Sequence, residues 1–206
     1  MIWGHVMSNW RRNWWKAAAP TALALMLSGC LGLGGGKPPP TLLRLTAAKS
    51  VPAGTALSGK ATDAIMVLDP QTDRSLAVTR VAVQVDDSNV AYLKGVQWVE
   101  RPAHLFGALL AETIRADGKH LVFSADEAVS LGGTRLSGRL LDFGYDARSQ
   151  SVVVRYDALW TSATGSITTK RFEAVVPGIA AKAEFVGPAL NKAANQVAAQ
   201  VADWVG

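Results

Sequence analysis

The spacing of apolar side chains changes period several times along the chain, and each change predicts an element. Residues 42–45 are a short apolar run, followed by a loop rich in Gly, Ser and Lys through residue 60. Residues 65–68 and 77–85 read as strands, the second alternating Val81, Val83 and Val85 onto one face, with Asp69-Pro70 as a turn between them. At Arg101-Pro102 the period lengthens. Proline suits the first turn of a helix, where its missing N–H would have no partner, and Phe106, Leu109, Leu110 and Ile114 recur at helical spacing until Gly118 closes the segment. A short strand at 121–123 precedes a meander of three longer ones, 134–145, 152–160 and 167–176.

Within the meander, Val152, Val154, Tyr156, Ala158 and Trp160 share one parity, as a half-buried strand requires. Leu136 and Leu140 share a parity that Leu141, Phe143 and Tyr145 do not, which predicts a bulge near Leu140 or burial on both faces. Pro188 is expected to start a last helix. Its seam is Leu190, Ala194, Val197, Val201 and Trp204, and its polar face carries Asn191, Lys192, Asn195, Gln200 and Asp203. With small residues at Ala193, Ala198 and Ala202, that seam is expected to pack on the domain's own sheet. These elements predict an α/β fold, a mixed and largely antiparallel sheet packed by two main helices, in one domain spanning 41–206 without repeat or second linker.

The N-terminal stretch obeys a different logic. A basic zone ends at Lys16, an uncharged run covers 17–27, and Leu27-Ser28-Gly29-Cys30 follows, which is the layout of a secretory signal peptide over residues 1–29. As a helix the uncharged run reaches roughly 16 Å, short of a hydrocarbon core of about 30 Å. Small residues before a lone cysteine let an extended backbone enter a peptidase groove, and the thiol is soft enough for selective alkylation by a diacylglyceryl donor. Leu27, Ser28 and Gly29 match the lipobox of bacterial lipoproteins, with Cys30 as the lipid-attachment residue, so the expected cofactor-free modification is acylation, palmitate included. The alternatives are a free thiol behind an ordinary signal sequence and an uncleaved anchor over 17–36. Pro20 and the glycines at 29, 32 and 34–36 make the latter a poor spanning helix. Either way the basic flank stays in the cytoplasm and the body is exported.

Leu31 stands where lipoproteins retained in the inner membrane often carry Asp, and by resemblance to that sorting pattern the expected residence is the periplasmic face of the outer membrane. Residues 30–40 then form the acylated cysteine and its tether, Gly-rich and flexible before polyproline and stiff, which holds the domain within roughly 35 Å of its membrane. Gly34-Gly35-Gly36-Lys37 is no phosphate loop: no strand precedes it, and no Ser or Thr follows Lys37.

Charge and composition narrow the function further. One cysteine and three histidines exclude an intramolecular disulfide and a structural zinc of the usual ligand sets. The formal charge of +5 falls to 18 basic against 16 acidic side chains once Arg11, Arg12 and Lys16 are set aside, which does not support nucleic-acid binding. No catalytic residue, metal ligand or cofactor site is expected. His104 lies on the polar side of the first helix, His120 follows Gly118-Lys119, and both read as solvated. Asp86-Asp87 and Asp126-Glu127 are neighbours in loops whose side chains diverge, and Asp63, Asp69 and Asp73 lack the spacing of a calcium loop. Arg135, Arg139 and Arg155 are expected on one face of the meander with Lys170 near. Cross-strand ion pairs, for instance with Asp157, are favoured there over a headgroup-binding role. Tyr92, Trp98 and Trp160 are the candidate partner interface, since amphipathic rings are enriched at interfaces, although core packing is expected for at least two of them.

Residues 89–118, NVAYLKGVQWVERPAHLFGALLAETIRADG, resemble the ABC-type transport auxiliary lipoprotein family, the paraquat-inducible protein C-like group. That family shows an apolar-Tyr strand, a Trp followed closely by an acidic residue and Pro, and an amphipathic helix; Tyr92, Trp98, Glu100 and Pro102 stand at those places. The opening at 41–45, the meander and the alanine-rich last helix follow the same order. The family's usual aromatic in the first strand is replaced here by Leu42 and Leu43, and residues 51–63 match loosely. The resemblance implies a non-enzymatic auxiliary component of an MCE/ABC-type lipid transport system across the periplasm. It would dock the MCE-domain partner at the outer membrane and could associate with copies of itself. The competing classes are a lipid-anchored envelope hydrolase using Ser124 or Ser137 with His120, and a structural envelope assembly factor.

Overall fold

The computed structural model describes residues 41–127 and 133–206. Cys30, the lipobox at Leu27, Ser28 and Gly29, and the tether lie outside the described residues. In chain order the elements are β1 (Leu42–Leu43), β2 (Ile65–Val67), β3 (Gln71–Thr72), β4 (Arg80–Gln84), β5 (Val90–Trp98), α1 (Pro102–Ala116), β6 (Val122–Phe123), β7 (Thr134–Asp146), β8 (Ser151–Thr161), β9 (Ile167–Val176) and α2 (Ala183–Val205), with short 3-10 turns at Ala61–Asp63 and Ala125–Glu127.

Among the described residues one sheet contains all nine strands, and β7 is its organising strand. Along one edge β7 pairs antiparallel with β8 over its whole length, and β8 pairs likewise with β9. Along the other edge β2, β3 and β4 lie in single file, each parallel to β7, opposite Thr134 to Leu136, Arg139 to Leu140 and Gly144 to Asp146 in turn. The Asp69-Pro70 turn is therefore a break in one extended path rather than a reversal. Proline brings no N–H to the ladder, so pairing lapses there and resumes at Gln71. β6 flanks β2 in parallel, and the antiparallel β4–β5 hairpin is extended by parallel β1. The long pairings are antiparallel and the short ones parallel, giving the mixed, largely antiparallel sheet.

The bulge sits at Leu141, where the β7–β8 register shifts between Leu140 and Asp142. It returns Phe143 and Tyr145 to the face already occupied by Leu136 and Leu140, and all four are buried. The predicted strand at 77–85 is shorter than expected: 77–79 are irregular, Val81 is fully buried, and Val85 is 43% exposed.

Both helices cover that same face. α1 starts at Pro102 as the sequence predicts and ends at Ala116, two residues before Gly118, whose φ of 70° places it in the left-handed region that glycine tolerates. Phe106 reaches Tyr156 edge-on at 5.4 Å between ring centroids and Phe143 at 6.0 Å. Gly107 lets α1 approach the break between β2 and β3, because a Cβ there would come within 2.6 Å of the Asp69 carboxylate.

α2 corrects the expected start. It begins at Ala183, with Pro188 inside it. Proline at 188 removes only the N–H that would meet the Glu184 carbonyl, and Glu184 is exposed, so water can serve that oxygen. The preceding turn is held by buried Val186 and by Gly187, against which the Leu43 side chain packs. Leu190, Ala194, Val197 and Val201 are fully buried, and Trp204 closes over Trp160 and Phe172. Part of the helix's polar face is not solvated. Asn191 accepts the Thr46 N–H and Asn195 the Ala48 N–H, so the chain leaving β1 is laid along α2. It then reaches α1, where Glu112 accepts the Val51 N–H at 2.9 Å.

Candidate functional site

The three aromatic residues expected at a partner surface are placed in three different environments. Trp98 ends β5 and is only 2% exposed, with its ring tilted against Phe143 at 5.4 Å between centroids, so the expectation of a surface role is corrected for it. Its indole N–H is buried without a partner. Trp160 is half-buried at the end of β8 and meets Trp204 at 6.3 Å. Tyr92 is half-buried on β5: its hydroxyl donates to the Ser75 carbonyl at 3.3 Å, and the Arg80 guanidinium sits 3.7 Å over its ring. The fold does not bring the three together. Tyr92 has Ala91, Leu93, Val83 and the start of α2 beside it, forming an apolar shallow groove with Lys94 and Lys182 on its rim.

His104 is not the simply solvated residue that its place on the polar side of α1 suggests. Its Nδ1 lies 2.9 Å from Asp69, and its Nε2 lies 3.1 Å from Glu100 and 3.5 Å from Asp126. The hydrogen bond to Asp69 and the surrounding negative charge raise its pKa above the ordinary 6.5, against a smaller opposing effect of burial. The Glu100 contact is an i to i+4 pair that the sequence could have revealed. Asp69 arrives only because α1 docks on the strand break.

The two serines that a hydrolase would use each have a hydrogen-bond partner of their own. Ser124 donates to Glu127 at 3.0 Å, and Ser137 contacts the Leu159 carbonyl at 3.4 Å. The Ser124 N–H, which Glu127 accepts, holds the Glu127 carboxyl below the usual range, helped by the Ser124 hydroxyl and by Arg115 at 2.7 Å. Adjacent Asp126 turns instead to His104, so the pair diverges as expected. Asp86 closes the β4–β5 turn by accepting from Ser88 and Asn89, which lowers its pKa, while Asp87 pairs with Arg148.

On the face of the sheet away from the helices, the expected cross-strand ion pairs form at Arg155 and at Asp157. Arg155 reaches Asp142 on β7 and Glu173 on β9, each at 2.5 Å. Beside that row, Arg171 binds Asp157 through two nitrogens at 2.5 and 2.7 Å, and Arg139, the register partner of Asp157, pairs with Asp73. Arg171 holds the Asp157 carboxyl below its ordinary value. Arg135 is exposed at the start of β7, and Lys170 lies 5.0 Å from the Phe172 ring. No helix among the described residues is long and apolar enough to cross a membrane, and no cluster of three metal-ligating side chains occurs among them.

The sequence model of the family described as "ABC-type transport auxiliary lipoprotein component" matches residues 45–202. A crystal structure of a Xanthomonas campestris protein of the DUF330 family superposes with a TM-score of 0.67 at 15% identity, covering 80% of this chain and 94% of that one. A second crystal structure, of an uncharacterized protein, gives a TM-score of 0.62 at 12% identity and covers 80% and 97% respectively. At those identities the likeness is one of fold. Among curated proteins none matches.

Proposed function

The chain belongs to the family of ABC-type transport auxiliary lipoprotein components, and from that premise we propose that it is the non-enzymatic, outer-membrane-anchored part of an MCE/ABC-type lipid transport system, docking the MCE-domain protein on the periplasmic side. The observation that carries the reading is the pairing of that family match over 45–202 with a lipobox ending at the chain's one cysteine, Cys30. Acylation of Cys30 anchors the chain, because each buried methylene is worth about 0.8 kcal/mol and more than one chain makes attachment effectively permanent. A tether reaching roughly 35 Å keeps the domain near one membrane, so work at the opposite membrane passes through a partner. ATP hydrolysis belongs to the transporter, and this domain supplies a surface. The groove beside Tyr92, rimmed by Lys94 and Lys182, is the favoured place for the MCE partner, with Trp160 a second contact point.

The deciding experiment is co-purification of the full acylated chain, in detergent, with the MCE-domain protein encoded beside it. Retention of the complex, weakened by Tyr92→Ala, is expected; no association at micromolar concentrations overturns the proposal. The anchor has its own test. Radiolabelled palmitate is expected on the exported chain and absent from Cys30→Ala, which should leave the membrane fraction. Replacing His120 and Ser124 together by Ala is expected to leave transport intact, whereas a hydrolase would lose it.

A further inference from the structure

β9 forms one side of the sheet, and among the described residues β8 is its sole strand partner. The hairpin fixes which backbone groups face outward. Ser162 N–H donates to the Ser166 carbonyl at 2.9 Å, so even-numbered residues of β9 turn their N–H and C=O toward β8, and 167, 169, 171, 173 and 175 turn theirs away. The Glu173 carbonyl agrees, being met only weakly from outside the ladder by Gln200 at 3.5 Å. The strand runs ten residues without proline, and its pairing with β8 shows no bulge. Those are two of the devices that usually blunt a free edge. Its outward-turned residues are also the ones on the charged face: Ile167 at 65% exposure, Thr169, Arg171, Glu173, and Val175 at 46%.

We propose that this edge pairs with the same edge of a second copy of the chain, antiparallel, about a two-fold axis at Phe172. Charge selects the register. Outward groups can meet only odd residue to odd residue. A centre at Arg171 or Glu173 sets like charges face to face, a centre at Lys170 opposes two lysines, and a centre at Phe172 sets Arg171 opposite Glu173 of the second copy, twice. Thr169 then opposes Val175. The row Asp142, Arg155, Glu173 runs on into Arg171, Asp157, Arg139 of the second copy, alternating in sign throughout. The axis stands perpendicular to the sheet, so the helices of both copies cover the same face. The intermolecular N–H from Arg171 takes the Glu173 carbonyl in place of the Gln200 amide.

Two arms test this on the full chain in detergent. In the first, Glu173→Arg and Arg171→Glu are measured alone and mixed, by sedimentation with the detergent density-matched. Each variant alone opposes like charges and should self-associate at least tenfold more weakly than the unaltered chain, while the mixture restores both attractive pairs and should form the heterodimer. Circular dichroism checks that each is folded. In the second arm, Thr169→Cys and Val175→Cys chains are mixed and oxidised, with the unsubstituted chain controlling for Cys30. Opposed residues lie about 5.5 Å apart between Cα atoms, whereas 169 and its own copy are offset by six residues, roughly 20 Å. Cross-linking of the mixture but of neither variant alone is expected. A monomeric unaltered chain at tens of micromolar overturns the proposal. So does self-association that survives both charge reversals, cross-linking of 169 to 169, or a complex formed only with a different protein.

Discussion

On β8, Val152, Val154, Tyr156 and Ala158 lie beneath the helices with at most 1% of their surface exposed, whereas Val153, Arg155, Asp157 and Leu159 stand partly exposed on the opposite face. The backbone is the same, and the two faces are held by different physics. Under the helices, Tyr156 is wedged among Phe106 and the β7 backbone, its hydroxyl donates to the Ser137 carbonyl at 2.7 Å, and burial pushes its pKa well up. On the other face, neighbours are charges that can relax into water. Shape therefore governs the first face and sign governs the second. Stability is concentrated where a displaced atom finds no other place, and the charged face can be rewritten for recognition at small cost to the fold.

That contrast can be tested from its largest effect downward. Phe106→Ala removes the ring joining Phe143 and Tyr156, and unfolding in urea should show a loss of about 3 to 5 kcal/mol. A smaller loss in this variant would mean that the helix-covered face repacks and is less specific than its burial implies. Gly138→Ala comes next. On β7 this residue faces Tyr156, and a Cβ there would come within 2.9 Å of its ring and hydroxyl and 2.1 Å of the Asp157 carbonyl, so backbone must move. The expected cost is about 2 to 3 kcal/mol by the same measurement.

His104→Gln tests a site where charge and shape meet. A histidine whose folded pKa lies above 6.5 contributes stability fully below that pH and loses it as pH rises through the raised value. The variant should therefore be weaker than the parent at pH 6 by up to about 1 kcal/mol, since the cluster is partly exposed, and closer to it at pH 9. Equal differences at both pH values would show that the ring acts by packing alone. The smallest effect belongs to the charged face: Asp157→Asn should cost about 0.5 kcal/mol or less, and 1 M salt should erase it. A loss above 2 kcal/mol there would put stability on both faces and remove the distinction.

Much of the framework was legible before any coordinates. Period-two and period-3.6 patterns are local, so the three long strands, α1 with its proline start and glycine end, and the parity break that became the Leu141 bulge could all be read directly. The start of α2 could not. Pro188 fits an N-terminal helical position by every local rule, and the earlier turn exists because Leu43, far away in the chain, packs against Gly187. Asn191 and Asn195 read only as members of a polar helix face, yet they hold the backbone of 46–48. Trp98, Tyr92 and Trp160 are alike in composition and were separated only by what surrounds them. Likewise one of the three carboxylates around His104 stands four residues before it, just ahead of α1, and the other two come from a strand break and a 3-10 turn.

By itself, then, the chain determined its elements and the order of motifs that marks its family, because each depends on residues within a turn or a strand of one another. Tertiary structure decided which aromatic is core, how the arginines are paired, and that β2, β3 and β4 line up along β7. Those outcomes depend on contacts between segments tens of residues apart, whose partners no local pattern names.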